Sequence, residues 1–262
     1  MNKSSKGEQP ATNEWKAATF GEFLSDGTSI EIIRPDACQN ALSLLVWTEG
    51  VLTETRCAQR DGVGYVPVEP DTSILRAMYI PAGVSEYGTT CSLFSEILRV
   101  FTIRVNLSNT TAALLAHFVL STWFADCFST APRMLICGPP EESVTLLQLL
   151  AATCRRALLL CDVTIATWSP MLAALRPTLL INTLRLRAST REFLEASNTR
   201  HEYLPRKGQL LDLFGAQVIH ERTSSGDQSM HESAICVTVT PARGRLPSVT
   251  VARLGVEHGN SA

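Results

Sequence analysis

Eight consecutive residues, Gly138-Pro139-Pro140-Glu141-Glu142-Ser143-Val144-Thr145, have the length of a phosphate cradle and two of its landmarks. In the pattern G-x-x-x-x-G-K-[ST], backbone N–H groups surround the phosphates, the Lys reaches the terminal ones, and the final hydroxyl helps hold Mg²⁺. Gly138 supplies the first glycine and Thr145 the hydroxyl. Ser143 stands where the second glycine belongs, and Val144 where the Lys belongs. Glu141 and Glu142 put two negative charges where a helix N-terminus would attract an anion. Carboxylates there stabilise a helix but repel a triphosphate. Gly138, Pro139, Pro140, Ser143, Val144 and Thr145 therefore read as a vestigial phosphate loop: a strand, Met134–Cys137, turning into a helix from Ser143 to Cys154.

A second site repeats the loss. Pro177-Thr178-Leu179-Leu180-Ile181 is a short apolar, partly β-branched run of the kind that forms a buried strand. An ATP-hydrolysing site of this layout needs a carboxylate at the end of that strand to hold Mg²⁺, and a second acid to activate water. Those places hold Asn182 and Thr183. A neutral amide is a weak ligand for a hard cation, and Thr is no base near neutral pH.

From about Leu114 to Pro241 the chain resembles the P-loop ATPase core of phage- and plasmid-type primase–helicase proteins, in the broad AAA-like group. The pieces that carry the resemblance are LAHFVLSTWFADC, RMLICGPP, LLQLLAATCRRALLLCDVT, LRPTLLIN, EASNTR and LLDLFGAQVIHE, in that order. The resemblance implies a three-layer α/β fold with the phosphate-loop strand central. It implies polar sensor groups at Asn198 and Arg200, and a DNA-facing rim that includes Arg206. It also implies ATP and Mg²⁺ as cofactors if the site works; on the substitutions above, no cofactor and no catalytic residue are expected.

The elements that must position these residues follow from periodicity. Helical patterns run over Thr89–Arg104, with Leu93, Ile97, Leu98 and Phe101 on one face, and over Thr110–Phe128, capped by Ser108 or Asn109. Beyond the loop, strands are predicted at Ala157–Val163, Thr178–Ile181, Phe214–Glu221 and Ser233–Thr240. Between them lie helices at Trp168–Leu175 and from the capping box Ser189-Thr190-Arg191-Glu192 to Ala196. Alternation of this kind predicts a mainly parallel sheet flanked by helices. Arg155-Arg156, at the end of the helix after the loop, suit the helix dipole; facing outward they would suit phosphate or an acidic partner.

Upstream, Thr28–Arg34 and Ala41–Leu52 read as strands with a turn at Glu49-Gly50. Shorter strands are predicted at Arg56–Cys57, Tyr65–Val68 and Ala77–Ile80, with Trp47 and Tyr79 as core residues. The predicted organisation is a disordered tail over 1–20, a β-rich module over 25–88, bridging helices over 89–128 and the degenerate ATPase-like core over 129–245. A C-terminal strand and tail over 246–262 follows, its strand at Ser248–Leu254, and Thr223–Gln228 is a loop.

Composition sets the class. At 262 residues, 45% hydrophobic and 18% charged, the chain is globular. A net charge of −2 argues against a strong global attraction to nucleic acid. The eight cysteines form no C-x-x-C pair and no zinc spacing, so no metal is expected. They read as buried thiols of a cytoplasmic protein. The N-terminal residues have no apolar signal-peptide core. The most apolar helical stretch, Thr111–Cys127, contains His117 and Asp126 and is shorter than the roughly 20 residues a bilayer needs. Motifs of serine, zinc or β-lactam hydrolases are absent. Three functions follow: a non-catalytic binding or scaffolding protein in a mobile-element or DNA-associated assembly, with protein or DNA partners and oligomers allowed; an active ATPase or helicase that borrows a cation from a neighbouring subunit; and a DNA-binding module built on the basic segment Arg185–Lys207.

Overall fold

The computed structural model describes residues 15–35, 41–105, 107–164, 170–206, 208–222 and 234–240. The residues before Trp15, the loop Thr223–Gln228 and the strand expected at Ser248–Leu254 lie outside them. The described residues open with seven short strands: β1 (Trp15–Thr19), β2 (Gly21–Phe23), β3 (Ser29–Ile33), β4 (Ser43–Thr48), β5 (Val51–Thr55), β6 (Ala58–Arg60) and β7 (Val63–Pro67). Helices α1 (Thr72–Ala77), α2 (Thr90–Val105) and α3 (Asn109–Trp123) follow, then a 3₁₀ turn at Ala125–Cys127. The remainder is β8 (Arg133–Cys137), α4 (Pro140–Thr153), β9 (Ala157–Leu160), α5 (Pro170–Leu175), β10 (Thr178–Thr183), α6 (Ala188–Ala196), β11 (Tyr203–Arg206), β12 (Gln209–Asp212), β13 (Gln217–Glu221) and β14 (Ile235–Thr238).

The α/β class holds. Five strands form an all-parallel sheet in the order β14-β8-β13-β10-β9. One face carries Met134, Ile136, Leu180, Val218 and Val237, packed against Phe101 of α2, Leu115 and Phe118 of α3, and Leu146, Leu147 and Leu150 of α4. The other face carries Leu135, Leu179, Ile181 and Ile219, packed against Phe193 and Leu194 of α6 and Leu211 of β12. Near-continuous apolar strands are what a sheet covered on both faces requires. β8 is interior, flanked by β14 and β13, but the middle place belongs to β13.

The N-terminal region builds two small sheets, β1-β7-β6 and the antiparallel meander β2-β3-β4-β5, which close over Ile30, Leu44, Val46 and Ala58. The two-residue turns Glu49-Gly50 and Asp61-Gly62 each have two positive φ values, at 50° and 83° and at 50° and 76°. That is the turn whose twist matches a hairpin. This region docks on the core through Phe20, Ile32, Leu42, Leu75 and Met78, which meet Leu158 of β9 and Leu175 of α5.

Several local expectations are corrected. Trp15–Thr19, inside the stretch expected as a disordered tail, is a strand, because it pairs in parallel with the distant β7; no local pattern signals that. The strand expected at Ala77–Ile80 does not form: α1, whose N-cap Asp71 accepts from the Ser73 N–H at 2.7 Å, runs to Ala77. Only Met78 keeps a β contact, a single bridge to Leu158. Helix α6 starts at Ala188 with Arg187 at its N-cap and no side-chain cap bond, so Ser189-Thr190-Arg191-Glu192 is not a capping box. The hairpin β11–β12 is not signalled by the sequence pattern. Trp47 and Tyr79 are exposed, not core. Of the described cysteines, all free, only Cys154 is buried. Cys137 ends β8 at the rim of the sheet, and Cys161 follows the last residue of β9. Among the described residues, no helix is long and apolar enough to cross a membrane, and no group of three or more His, Cys, Asp or Glu could hold a metal ion.

Candidate functional site

Open parallel sheets bind ligands beyond the carboxyl ends of their strands. Two rows meet at that rim here. Asn182 of β10, His220 of β13, Ile136 of β8 and Val237 of β14 lie side by side, and the next row runs Thr183, Glu221, Cys137 and Thr238. The first row faces the α4 side. The β8–α4 junction and the residues that end β10 therefore come together at one edge.

The junction between β8 and α4 is shorter than expected. The helix begins at Pro140, not Ser143, so Gly138 and Pro139 alone separate it from the strand. Proline preset at the first helical position favours this early start. Pro139 and Pro140 have no N–H, and the Ser143 N–H is bonded within the helix to the Pro139 carbonyl at 3.1 Å. Glu141 and Glu142 occupy the first turn, where they complement the helix dipole. Thr145 Oγ1 donates to the Glu141 carbonyl at 3.0 Å, so the hydroxyl at the Mg²⁺ position is engaged by its own helix. Val144 is half-buried, and Ser143 is fully buried with no hydrogen-bond partner for its Oγ among the described residues. Gly138 has a packing reason to be glycine. A Cβ there would lie 2.6 Å from the Val239 carbonyl oxygen and 3.0 Å from Val239 Cβ.

Asn182 is held from the next strand. Its Oδ1 lies 3.0 Å from His220 Nδ1. An amide oxygen only accepts, so Nδ1 carries the proton and Nε2 is left as a bare acceptor. His220 is fully buried, and Nε2 has no hydrogen-bond partner among the described residues. Burial pushes its pKa below the ordinary value; the Gly138 backbone works against that shift and the Arg222 charge adds to it. The imidazole at this edge is thus neutral near pH 7. Thr183 is buried, and its Oγ1 points to the Arg185 carbonyl at 3.5 Å. The acid of the rim, Glu221, accepts from the Leu186 N–H at 2.9 Å and faces Arg191 at 3.6 Å. Neutral Asn182 and Thr183 and an ion-paired Glu221 give no open set of carboxylates for a cation.

The expected sensor residues lie elsewhere. Asn198 accepts from the Ala131 N–H through its carbonyl at 2.7 Å, and Arg200 Nε donates to the Phe128 carbonyl at 2.5 Å. Arg200 also donates to the Asp126 carbonyl and stacks on Phe214, 4.5 Å from the ring centroid. Both residues sit beside the chain entering β8, at the amino end of the sheet. That is a strand length from Asn182, roughly 15 Å at about 3.3 Å per residue. Arg206 lies in β11, opposite Gln209. His220 is the residue that sequence reasoning missed. Its signal is positional: it falls near the end of an apolar strand run, in register with Asn182, and no ligand spacing marks it.

No protein-family model matches the chain, and no curated protein matches it. Among solved structures, the apo A form of the NrS-1 C-terminal region is similar over 80% of this chain and 58% of that one, with 10% identity and a TM-score of 0.35. This chain thus spans less than two thirds of that structure's length. At that level the likeness assigns neither an activity nor a partner.

Proposed function

We propose that this protein is a non-catalytic binding or scaffolding protein, with an α/β core laid out like a P-loop ATPase but without the phosphate machinery. The observation that carries the reading is the β8–α4 junction. Two prolines and two glutamates occupy the helix start that would have to receive an anion. The hydrogen bond between Asn182 and His220 adds support, because it holds in place the residue that would otherwise face a metal-bound nucleotide. Neither ATP nor Mg²⁺ belongs to this reading. A protein partner is better supported than DNA: within the basic segment Arg185–Lys207, Arg191 faces Glu221 and Arg200 is bound to backbone carbonyls.

The test is thermal unfolding with and without millimolar Mg²⁺-ATP. Ligand at about a hundred times its dissociation constant adds roughly 2.7 kcal/mol, which shifts the midpoint visibly. The expected result is no shift and no ATP hydrolysis. A Mg²⁺-dependent shift that disappears in Asn182→Ala would overturn the proposal and favour an active ATPase.

A further inference from the structure

The outer strand of the N-terminal meander carries features that neither the core nor the rim uses. In the order β2-β3-β4-β5, β5 is an edge among the described residues, and Val51, Leu52, Thr53 and Glu54 are all exposed. Natural edges are blunted by Lys, Pro, bulges or a covering element; β5 has neither Lys nor Pro, and its one charge is Glu54. The face beside it is apolar. Phe23, Ser29, Trp47 and Leu52 are successive partners across the four strands, so they form one row. Phe23 is 56% exposed, Trp47 46%, Leu52 45%, and Val51 in β5 64%.

We propose that β5 is a homodimer interface: it pairs antiparallel with β5 of a second copy about a two-fold axis through Thr53. The register follows from the hairpin. The positive φ values of Glu49 and Gly50 make the turn one in which the flanking residues Thr48 and Val51 bond each other. Hydrogen-bonding direction alternates along a strand, so the N–H and C=O groups of Leu52 and Glu54 point away from β4. An axis at Thr53 sets Leu52 opposite Glu54 of the second copy, both with outward backbone groups, and pairs all five residues of β5. A register two residues further along would set Glu54 against itself, which repels. The chosen register also sets Arg56 opposite Gly50 of the second copy, beside its Glu49. Both Glu49 and Arg56 are exposed, and the two-fold makes this opposite-sign meeting twice. The strand is thus complementary to its own copy in backbone direction and in charge, as an isologous interface requires. The Phe23–Trp47–Leu52 row of each copy then runs on into the Glu54–Leu45 row of the other, in one continuous sheet.

The test is sedimentation equilibrium of the full chain over a micromolar range. A reversible dimer is expected. Leu52→Lys, at an exposed position where the far-UV circular dichroism of the fold should be kept, should give a monomer. Glu49→Arg and Arg56→Glu should each weaken dimerisation by at least about tenfold, since each replaces two attractions with two repulsions. An equimolar mixture of these two variants regains both opposite-sign pairs and should dimerise again. A chain that stays monomeric throughout, a dimer indifferent to Leu52→Lys, or a mixture no tighter than its components would each overturn the proposal.

Discussion

Arg156 and Glu31 form a two-pronged ion pair that joins the N-terminal sheets to the parallel core: Arg156 Nε donates to Glu31 Oε1 at 2.7 Å and Nη2 to Oε2 at 2.9 Å. Arg156 is 2% exposed, and its Nη1 donates to the Leu175 carbonyl at 3.1 Å. Arg155 also donates to Glu31, at 2.7 Å, and to Asp126 at 2.5 Å. Burial opposes the Arg155 charge, but Glu31 and then Asp126 outweigh it and hold the guanidinium firmly charged. Gly21 leaves room for this pair, since a Cβ there would strike Arg156 Nη2 and lie 2.7 Å from the Ile30 carbonyl. The double Arg that could have met phosphate or an acidic partner meets acids of its own chain. Removing Glu31 strands the buried Arg156 charge, whereas Glu31 without Arg156 keeps Arg155. Glu31→Ala should cost about 3–5 kcal/mol in urea unfolding, and Glu31→Leu with Arg156→Met should recover most of it. Equal losses in single and double variants would contradict this.

Gly138 should be intolerant for a reason unrelated to phosphate. Its absent Cβ makes room for Val239, whose N–H donates to the Cys137 carbonyl at 2.8 Å and so fixes the backbone there. Gly138→Ala should destabilise by about 1–3 kcal/mol, the usual range for overpacking. The loss should be the same with and without nucleotide.

Ser143 gives the opposite expectation. Its buried hydroxyl has no partner among the described residues, so Ser143→Ala should be neutral or stabilising in chemical denaturation. Ser143→Gly, which restores the glycine of the phosphate motif, should cost about 1 kcal/mol because it weakens a helix interior. A stabilising Gly would mean that the segment is strained toward a loop.

These two positions show what was legible in the sequence. The apolar runs at 134–137, 178–181 and 217–219 and the helical periods between them identify a buried parallel sheet, since side-chain burial on both faces writes itself into composition. That Asn182 and Gly138 reach the same rim was legible too, because each follows an apolar run. Local pattern failed where non-local contact decides. β1 exists through its pairing with β7. Arg200 reads as a free cation, but tertiary packing places it under backbone carbonyls at the amino end of the sheet. Trp47 reads as core because large aromatics seek burial, yet its row faces outward. His220 is conspicuous only once the register puts it beside Asn182.

Cysteine accessibility offers a direct check on the core. Cys154 is buried at the C-terminal end of α4, and burial pushes its thiol up to about 12 despite help to the thiolate from Thr122 and Thr153. At pH 8, iodoacetamide should modify Cys57, Cys91, Cys127 and Cys161 readily and leave Cys154 unmodified until denaturant is added. Cys137 should lag behind Cys57, because burial and the neighbouring Cys236 both raise its pKa. Peptide mass spectrometry reads the order. Modification of Cys154 as fast as Cys57 in native buffer would contradict the packing described.

His220 should make stability fall on mild acidification. Its folded pKa lies below the unfolded value of 6.5 because burial disfavours the imidazolium. As pH drops through 6.5, the unfolded chain takes up this proton before the folded one does, so the unfolded state is favoured; the decline levels off below the folded pKa. Above 6.5 neither state holds the proton and the contribution to pH dependence vanishes. His220→Gln keeps an amide donor for Asn182 and removes the titration, so its stability curve between pH 7 and 5 should be flatter than the parent's. Asp126 acts in a separate window. Burial pushes its pKa up, but Arg155, aided by Arg156 and Arg176, outweighs this and holds it below 3.8. Its contribution is complete above 3.8 and is lost as pH falls through the folded value. Asp126→Asn should therefore change the curve below about pH 4 and leave the His220 step in place. If the two variants altered the same pH range, the assignment of the upper step to His220 would fail.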